Sequence, residues 1–248
     1  MNAAPREPYA ALNQCLRARF GMKVQRIALS LHAPCPNRAE GRTGCVFCLP
    51  ESYAPSAAAA EGGVRAQLLR GIAHHAARGS AQGFIAYLQT GSNTCGPPAS
   101  LRAVYTEALS VPGVLALSIA TRPDCLPDDV LALLDELAAQ HEIWVELGVQ
   151  SMHNRTLQAL QRGHDAACSQ RAVTALLATR VQHVVAHMIL GLPGESEAAM
   201  HASMRMLYAP HAAAPPRGPF PRLGVKLHHL QVMANTPLEQ PWRAGGIP

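Results

Sequence analysis

Arg26-Ile27-Ala28-Leu29-Ser30-Leu31 leads into Cys35-Pro36-Asn37-Arg38-Ala39-Glu40-Gly41-Arg42-Thr43-Gly44-Cys45-Val46-Phe47-Cys48. The first run alternates as a strand does, setting Ile27, Leu29 and Leu31 against Arg26, Ala28 and Ser30. Three cysteines follow, with nine residues between the first pair and two between the second. Gly, Pro and Asn in this loop free the backbone to bend around a small object. Three thiolates on one loop suit a soft metal centre. An iron–sulfur cube normally takes four cysteines, so three would leave one iron open to an outside ligand. A structural zinc completed by His32 or another histidine is the other reading, because three Cys and one His make a closed zinc shell. The loop alone leaves both open.

Outward from this loop, short apolar strands alternate with longer helices. Strands are expected at Phe84 to Gln89, Val114 to Ile119, Ile143 to Val149, Val184 to Leu190 and Gly224 to Leu230. Helices are expected at Tyr9 to Phe20, Val64 to Arg78, Pro98 to Ser110, Pro127 to Gln140, Asn154 to Gln161, Ala166 to Arg180 and Glu197 to Tyr208. The Ala-rich 52–63 segment and the Pro- and Ala-rich 211–221 segment read as loops. Six strands separated by helices imply parallel βα units with right-handed crossovers.

A closed eight-stranded barrel fills its lumen with bulky apolar side chains. Here one face of nearly every strand is small or polar: Ser30 and His32, Tyr87 and Gln89, Ser118 and Arg122, Glu146 and Gln150, His187, then Lys226 and His228. The other face is apolar, with Ile27, Leu29, Leu88, Leu117, Ile119, Val145, Leu147, Met188, Leu190, Val225 and Leu227. This pattern predicts an α/β fold, a partial (β/α)6 TIM-like barrel of parallel strands with outer helices and a ligand inside. An open doubly wound sheet is the alternative. The division expected is a helical extension over 1–26, the barrel over 27–236 and an irregular tail over 237–248.

At 248 residues with 48% apolar content, the chain is long enough for one large domain. No apolar run spans a bilayer and no signal-peptide pattern opens the chain, so the expectation is a cytoplasmic protein with no membrane partner. Seven cysteines, an odd number, argue for metal or reactive thiols over a disulfide framework. A net charge of +5 permits an anionic partner without requiring one, and 4% aromatics is thin for stacking bases.

Three downstream stretches carry chemistry. In Trp144-Val145-Glu146-Leu147-Gly148-Val149-Gln150-Ser151, Gly148 leaves room between two hydrogen-bonding side chains that face the same way. Arg162, in Gln161-Arg162-Gly163-His164, is placed to grip a carboxylate. Met188-Ile189-Leu190-Gly191-Leu192-Pro193-Gly194-Glu195 ends a strand in a turn that brings backbone close to a flat ring. Singly, each has a plainer reading: an ion pair for Glu146, a solvated helix end for Arg162, an ordinary strand-to-helix turn for the third.

Together with Cys35-Pro36-Asn37-Arg38, Gly44-Cys45-Val46-Phe47-Cys48, Leu117-Ser118-Ile119-Ala120-Thr121-Arg122-Pro123-Asp124 and Arg162-Gly163-His164-Asp165, these stretches resemble the radical S-adenosylmethionine (SAM) superfamily. The likeness is to the YhcC-type branch related to the Elongator catalytic subunit, in the right order over nearly the whole chain. It implies a [4Fe–4S] cluster on Cys35, Cys45 and Cys48. It implies SAM bound at the open iron and cleaved reductively to a 5′-deoxyadenosyl radical that abstracts hydrogen from a substrate. Phe47 resembles the residue lying against adenine, Gln150 and Arg162 the pair near the methionyl and ribose groups, His187 a residue facing the nucleoside, and Ile189 with Gly191 the backbone bordering adenine.

The chain also departs from the family pattern. Ala120 stands where relatives place a ribose-binding acid, with Thr121 or Arg122 as substitutes. Gln89-Thr90-Gly91-Ser92-Asn93-Thr94-Cys95 replaces a Gly-Gly-Glu-like amine-binding turn, with Gln89 and Asn93 as candidates. Branch members usually continue well beyond the sixth strand, so the resemblance implies that a substrate-covering C-terminal portion is missing. Reduced flavodoxin or ferredoxin is the electron donor it implies. RNA, a small molecule and a protein are the candidate substrates, RNA on the Elongator likeness and on Arg38, Arg42, Arg65, Arg70 and Arg122. A non-catalytic iron–sulfur or zinc module, or a truncated remnant, is the alternative function. Cys95, Cys125 and Cys168 are candidates for hydrogen donation or substrate binding, beside a packing role; Cys15, His74, His75 and His141 read as structural.

Overall fold

A computed structural model describes residues 12–31, 35–39, 41–56, 60–79, 81–212, 215 and 221–247. His32, the part of the expected first helix before Leu12, and parts of the 52–63 and 211–221 segments lie outside these. The order is α1 (Leu12–Phe20), β1 (Val24–Leu29), α2 (Val64–Ala77), β2 (Gly83–Leu88), α3 (Pro98–Leu109), β3 (Val114–Thr121), α4 (Asp128–Ala138), β4 (Ile143–Gln150), α5 (Asn154–Ala159), α6 (Ala166–Ala178), β5 (His183–Leu190), α7 (Glu197–Tyr208), β6 (Leu223–His229) and α8 (Glu239–Arg243). Each strand expected from alternation is present, its ends within two residues of those expected. The first begins at Val24, two residues inside the 1–26 extension, because buried Val24 packs on Leu16 of α1.

Local signals set the helix starts. Pro98 opens α3, where its missing N–H costs nothing. Asp128 and Asp129 place negative charge in the first turn of α4. Asp165 caps α6 by accepting from the Cys168 N–H at 2.7 Å, and Ser196 caps α7 through the Ala199 N–H.

All six strands pair in parallel in their chain order, with β1 and β6 as the edges. A doubly wound sheet reverses its order at a switch point; this sheet does not, and it curves as a half-barrel. The outward faces of the strands bury Leu29, Leu88, Leu117, Ile119, Val145 and Leu147 under helices α2 to α7. Each fully covered aliphatic side chain contributes about 1.5–3 kcal/mol. Leu227 faces outward too, but on an edge strand, and is 57% exposed.

The inward faces are layered. At the N-terminal ends of the strands, Ile85, Ala116 and Trp144 pack with Leu16 and Val24 into an apolar plug. Two residues further along each strand the lining turns polar, with Tyr87, Ser118 and Glu146. α1 therefore closes the bottom of the half-barrel and leaves the C-terminal end of the sheet for chemistry. The last residues, expected to be an irregular tail, include α8 and bury Leu238 and Ile247 against Val46, Leu160, Ile189 and Leu192. Their apolar residues are too widely spaced to register as a helical period.

Candidate active site

The cysteine loop is tied down before any metal is considered. Pro36–Arg38 forms one 3-10 turn whose N-cap is Cys35. Arg38 Nη2 donates to the Cys48 carbonyl at 2.6 Å, closing the loop on itself. Asn37, 6% exposed, donates from Nδ2 to the Gln161 and Arg162 carbonyls at 2.6 and 3.0 Å and to Cys45 Sγ at 3.2 Å. Val46 N–H donates to the Leu160 carbonyl at 3.2 Å. A loop from β1 is thus stitched to the end of α5, more than a hundred residues away in the chain.

That helix end delivers Arg162. Gln161 (φ 54°) and Gly163 (φ 78°) both take left-handed backbone, turning the chain sharply on either side of it. Its guanidinium donates from Nη1 to Cys45 Sγ at 3.2 Å and from Nη2 to the Gly148 carbonyl at 2.6 Å. β4 ends in a register shift between Gly148 and Gln150, with Gln150 at φ 72°. A left-handed non-glycine residue costs on the order of 1–3 kcal/mol and concentrates at functional sites; here the irregularity re-aims Gln150 at the end of its strand. A Cβ on Gly148 would lie 2.7 Å from Arg162 Nη2 and 2.8 Å from Gln150 Nε2, so only glycine leaves both side chains where they are.

These groups line one cavity of about 1040 Å³ at the C-terminal end of the sheet. Cys35, Cys45, Cys48, Phe47, Gln89, Thr121, Arg122, Gln150, Arg162, His187 and Ile189 all border it; Gly191 does not, since it lies past the end of β5. Of the two amine candidates, Gln89 borders the cavity. Asn93 does not border it; its Nδ2 donates to the Leu88, Thr90 and Ala120 carbonyls at 3.0, 3.0 and 2.9 Å, while its buried Oδ1 has no partner. Thr121 shares a hydrogen bond with Thr94, while Arg122 pairs with Asp124 at 2.6 Å and donates to the Arg162 carbonyl at 2.8 Å. Cys95 and Cys125 hydrogen-bond each other and border neither this cavity nor its neighbour. Cys168 borders that neighbouring cavity of about 980 Å³, behind the cysteine loop.

The polar floor centres on Glu146, 1% exposed. It accepts from Tyr87 at 3.0 Å, Ser118 at 2.7 Å and His187 Nε2 at 2.7 Å, and pairs with Arg26 at 2.7 Å and Lys226 at 3.8 Å. Burial alone would raise its carboxyl pKa. The His187 hydrogen bond and the charges of Arg26, His187 and Lys226 outweigh burial and hold it well below the usual carboxylate range. Burial, with Glu146 adjacent, pushes the Tyr87 phenol upward, so it stays a donor. His187 Nδ1 in turn meets His228 Nε2 at 3.3 Å. The ion-pair reading of Glu146 describes part of this network. Arg26 and Asn37 were not singled out from the sequence, because each acts on a residue far along the chain.

A profile of the radical SAM superfamily matches residues 35–207, from the first cysteine almost to the end of α7. This chain belongs to the radical SAM superfamily. YhcC of Escherichia coli K12 is 36% identical over 240 residues, covering 94% of this chain and 71% of its own length. A tRNA uridine(34) acetyltransferase of Methanocaldococcus infernus is 30% identical over 131 residues, 53% of this chain and 22% of that protein. The solved structure of Methanocaldococcus infernus Elp3 superposes with a TM-score of 0.57 at 18% identity, over 90% of this chain and 50% of that one. This chain spans about half of that structure, and at such identity the likeness concerns the fold alone. No helix among the described residues is long and apolar enough to cross a membrane.

The lining of the cavity suits the groups that radical SAM proteins carry. Two N–H donors, from Asn37 and Arg162, already point at Cys45 Sγ, as a thiolate needs. Arg122 and Arg162 border the cavity, and Arg122 Nη1 and Arg162 Nε are buried with no acceptor within the protein, so this wall carries unneutralised hydrogen-bonding capacity of positive sign. Among the described residues, no three His, Cys, Asp or Glu side chains converge tightly enough to share one metal ion. In an iron–sulfur cube each thiolate takes its own iron, so its ligands stand further apart than those around one zinc.

Proposed function

We propose that this chain is an enzyme that holds a [4Fe–4S] cluster on Cys35, Cys45 and Cys48 and binds S-adenosylmethionine beside it. The observation that carries this reading is that the three thiols, Gln150 and Arg162 border one cavity, although they come from two loops and a strand end. Bound there, the cluster and SAM would supply the one-electron chemistry that generates a 5′-deoxyadenosyl radical for abstraction of a substrate hydrogen. The protein's share is positioning and exclusion of water. Asn37 and Arg162 stabilise the Cys45 thiolate. Phe47 and Ile189 offer apolar surface to adenine, and His187 faces the nucleoside. Gln150, Arg162 and the free N–H of Arg122 hold the methionyl and ribose oxygens, Thr121 stands in for the acid that Ala120 lacks, and Gln89 receives the ammonium.

Reduced flavodoxin or ferredoxin is the donor class that fits the single-electron step. All seven cysteines are free thiols, which supports a reducing compartment such as the cytoplasm. Anaerobic reconstitution with iron and sulfide tests the reading. We expect a brown protein whose reduced electron paramagnetic resonance signal changes when SAM is added. A colourless protein with one zinc would overturn it.

RNA is a second reading for the substrate. Its support is the similarity to a tRNA uridine(34) acetyltransferase and a cavity wall with Arg38, Arg122, Arg162 and Lys226 against Glu51 and Glu146. Arg122 itself is 3% exposed and cannot meet a phosphate backbone at the surface. RNA binding of this kind weakens steeply with salt; no binding of tRNA at low salt would exclude it.

A further inference from the structure

The floor of the cavity carries more cation than its own residues neutralise. Arg26 and Lys226 both face the single carboxylate of Glu146, which is also the hydrogen-bond acceptor for Tyr87, Ser118 and His187. A carboxylate only accepts, so His187 donates to it from Nε2, and its Nδ1 meets His228 Nε2 at 3.3 Å. At the cysteine end, by contrast, Arg122 already pairs with Asp124, and Arg162 already donates to Cys45 and the Gly148 carbonyl. The floor is thus a separate centre of positive charge, built on different strands, and Lys226 and His228 border the open volume.

We propose that Lys226 and His228 form a subsite for an anionic group, phosphate or carboxylate, of the substrate that fills this cavity, with Glu146 and His187 as positioning residues behind them. The proposal rests on the cavity being the reaction chamber described above, and it narrows the substrate to an anion whose charged end points away from the cysteine loop. Glu146 draws the partly exposed Arg26 and Lys226 side chains together; it takes up one of the two charges and leaves the other for the ligand.

The same geometry makes binding proton-linked. Burial pushes His228 down to about 4, and the neighbouring charges of His187, Lys226 and His229 add to this against Glu146. Burial also lowers Lys226, with Arg26 acting the same way and Glu146 the opposite way. An anion between the two side chains restores the proton on His228. Affinity therefore rises as pH falls from neutrality and levels off once the free imidazole is itself protonated. Arg26, Tyr87 and His183 are further charged or titratable groups packed against this floor.

Sulfate and acetate are the probes, both fully ionised between about pH 6 and 8, titrated calorimetrically into the full-length protein in buffers of different ionisation enthalpy. We expect one of them to bind with proton uptake, sulfate marking a phosphate-type substrate and acetate a carboxylate. Lys226→Met should weaken binding about tenfold or more, Lys226→Arg should keep it, and His228→Asn should bind without taking up a proton. Absence of binding by both anions, or binding that Lys226→Met leaves unchanged, would overturn the subsite. Neither result touches the cluster proposal, because the titration involves no SAM cleavage.

Discussion

Arg162 joins the cysteine loop to the sheet: one guanidinium nitrogen donates to Cys45 Sγ at 3.2 Å and the other to the Gly148 carbonyl at 2.6 Å. Only a planar fork reaches both acceptors at once, so the residue type matters beyond its charge.

Arg162→Lys keeps the charge but can satisfy only one of these acceptors. Charge-assisted hydrogen bonds contribute about 1.5–3 kcal/mol each, so SAM affinity should fall by about tenfold or more while the iron content stays near that of the parent. Equilibrium binding of SAM to the reconstituted variant checks this, and an unchanged affinity would remove Arg162 from the cofactor's contacts.

Asn37→Ala strips the Gln161 carbonyl of its donor, leaves the Arg162 carbonyl only that from Arg122, and removes one N–H from Cys45. Leaving a buried acceptor unpaired costs about 1–3 kcal/mol. The urea midpoint should drop, and the cluster should be lost faster on exposure to a chelator. A variant as stable as the parent would mean the stitch between loop and helix end is incidental.

Glu146 sets a pH limit on the fold. Its carboxyl is held below the value of about 4.3 expected in the unfolded chain. The stability it contributes is therefore complete above that value and lost as pH falls through it toward the folded one. Glu146→Gln leaves the partly exposed Arg26 and Lys226 facing no anion and should destabilise the fold by about 1–3 kcal/mol at neutral pH. It should also flatten the dependence of stability on pH in the acid range. Denaturant titrations of parent and variant across that range measure both effects.

Gly148→Ala places a methyl 2.7 Å from Arg162 Nη2 and 2.8 Å from Gln150 Nε2. Both neighbours are ends of flexible side chains, so they give way and the fold survives. The expected outcome is a near-parental unfolding transition with clearly weakened SAM binding, seen by circular dichroism and equilibrium dialysis. Full SAM affinity in this variant would show that the two side chains need not hold their positions.

The barrel was legible because its signals are local. Alternation along Ile143 to Val149 or Val184 to Leu190 places each strand, and polar residues such as Glu146 and His187 mark the inward face before any coordinate is known. The three cysteines were legible for the same reason, lying on one short loop. What the sequence hides is pairing across distance. Asn37 meets Gln161 and Arg162, and Arg26 meets Glu146, across more than a hundred residues, and no period connects them. The packing of Leu238 and Ile247 on the far side of the cysteine loop is hidden likewise, since two apolar residues nine apart carry no pattern of their own.

The most direct test of the whole account is 5′-deoxyadenosine production by the anaerobically reconstituted, chemically reduced protein supplied with SAM, run beside Cys45→Ala. The account predicts 5′-deoxyadenosine from the parent, and from the variant neither bound iron nor product. Product formed by Cys45→Ala at the parental rate, or none from a parent that carries a full cluster, would contradict it.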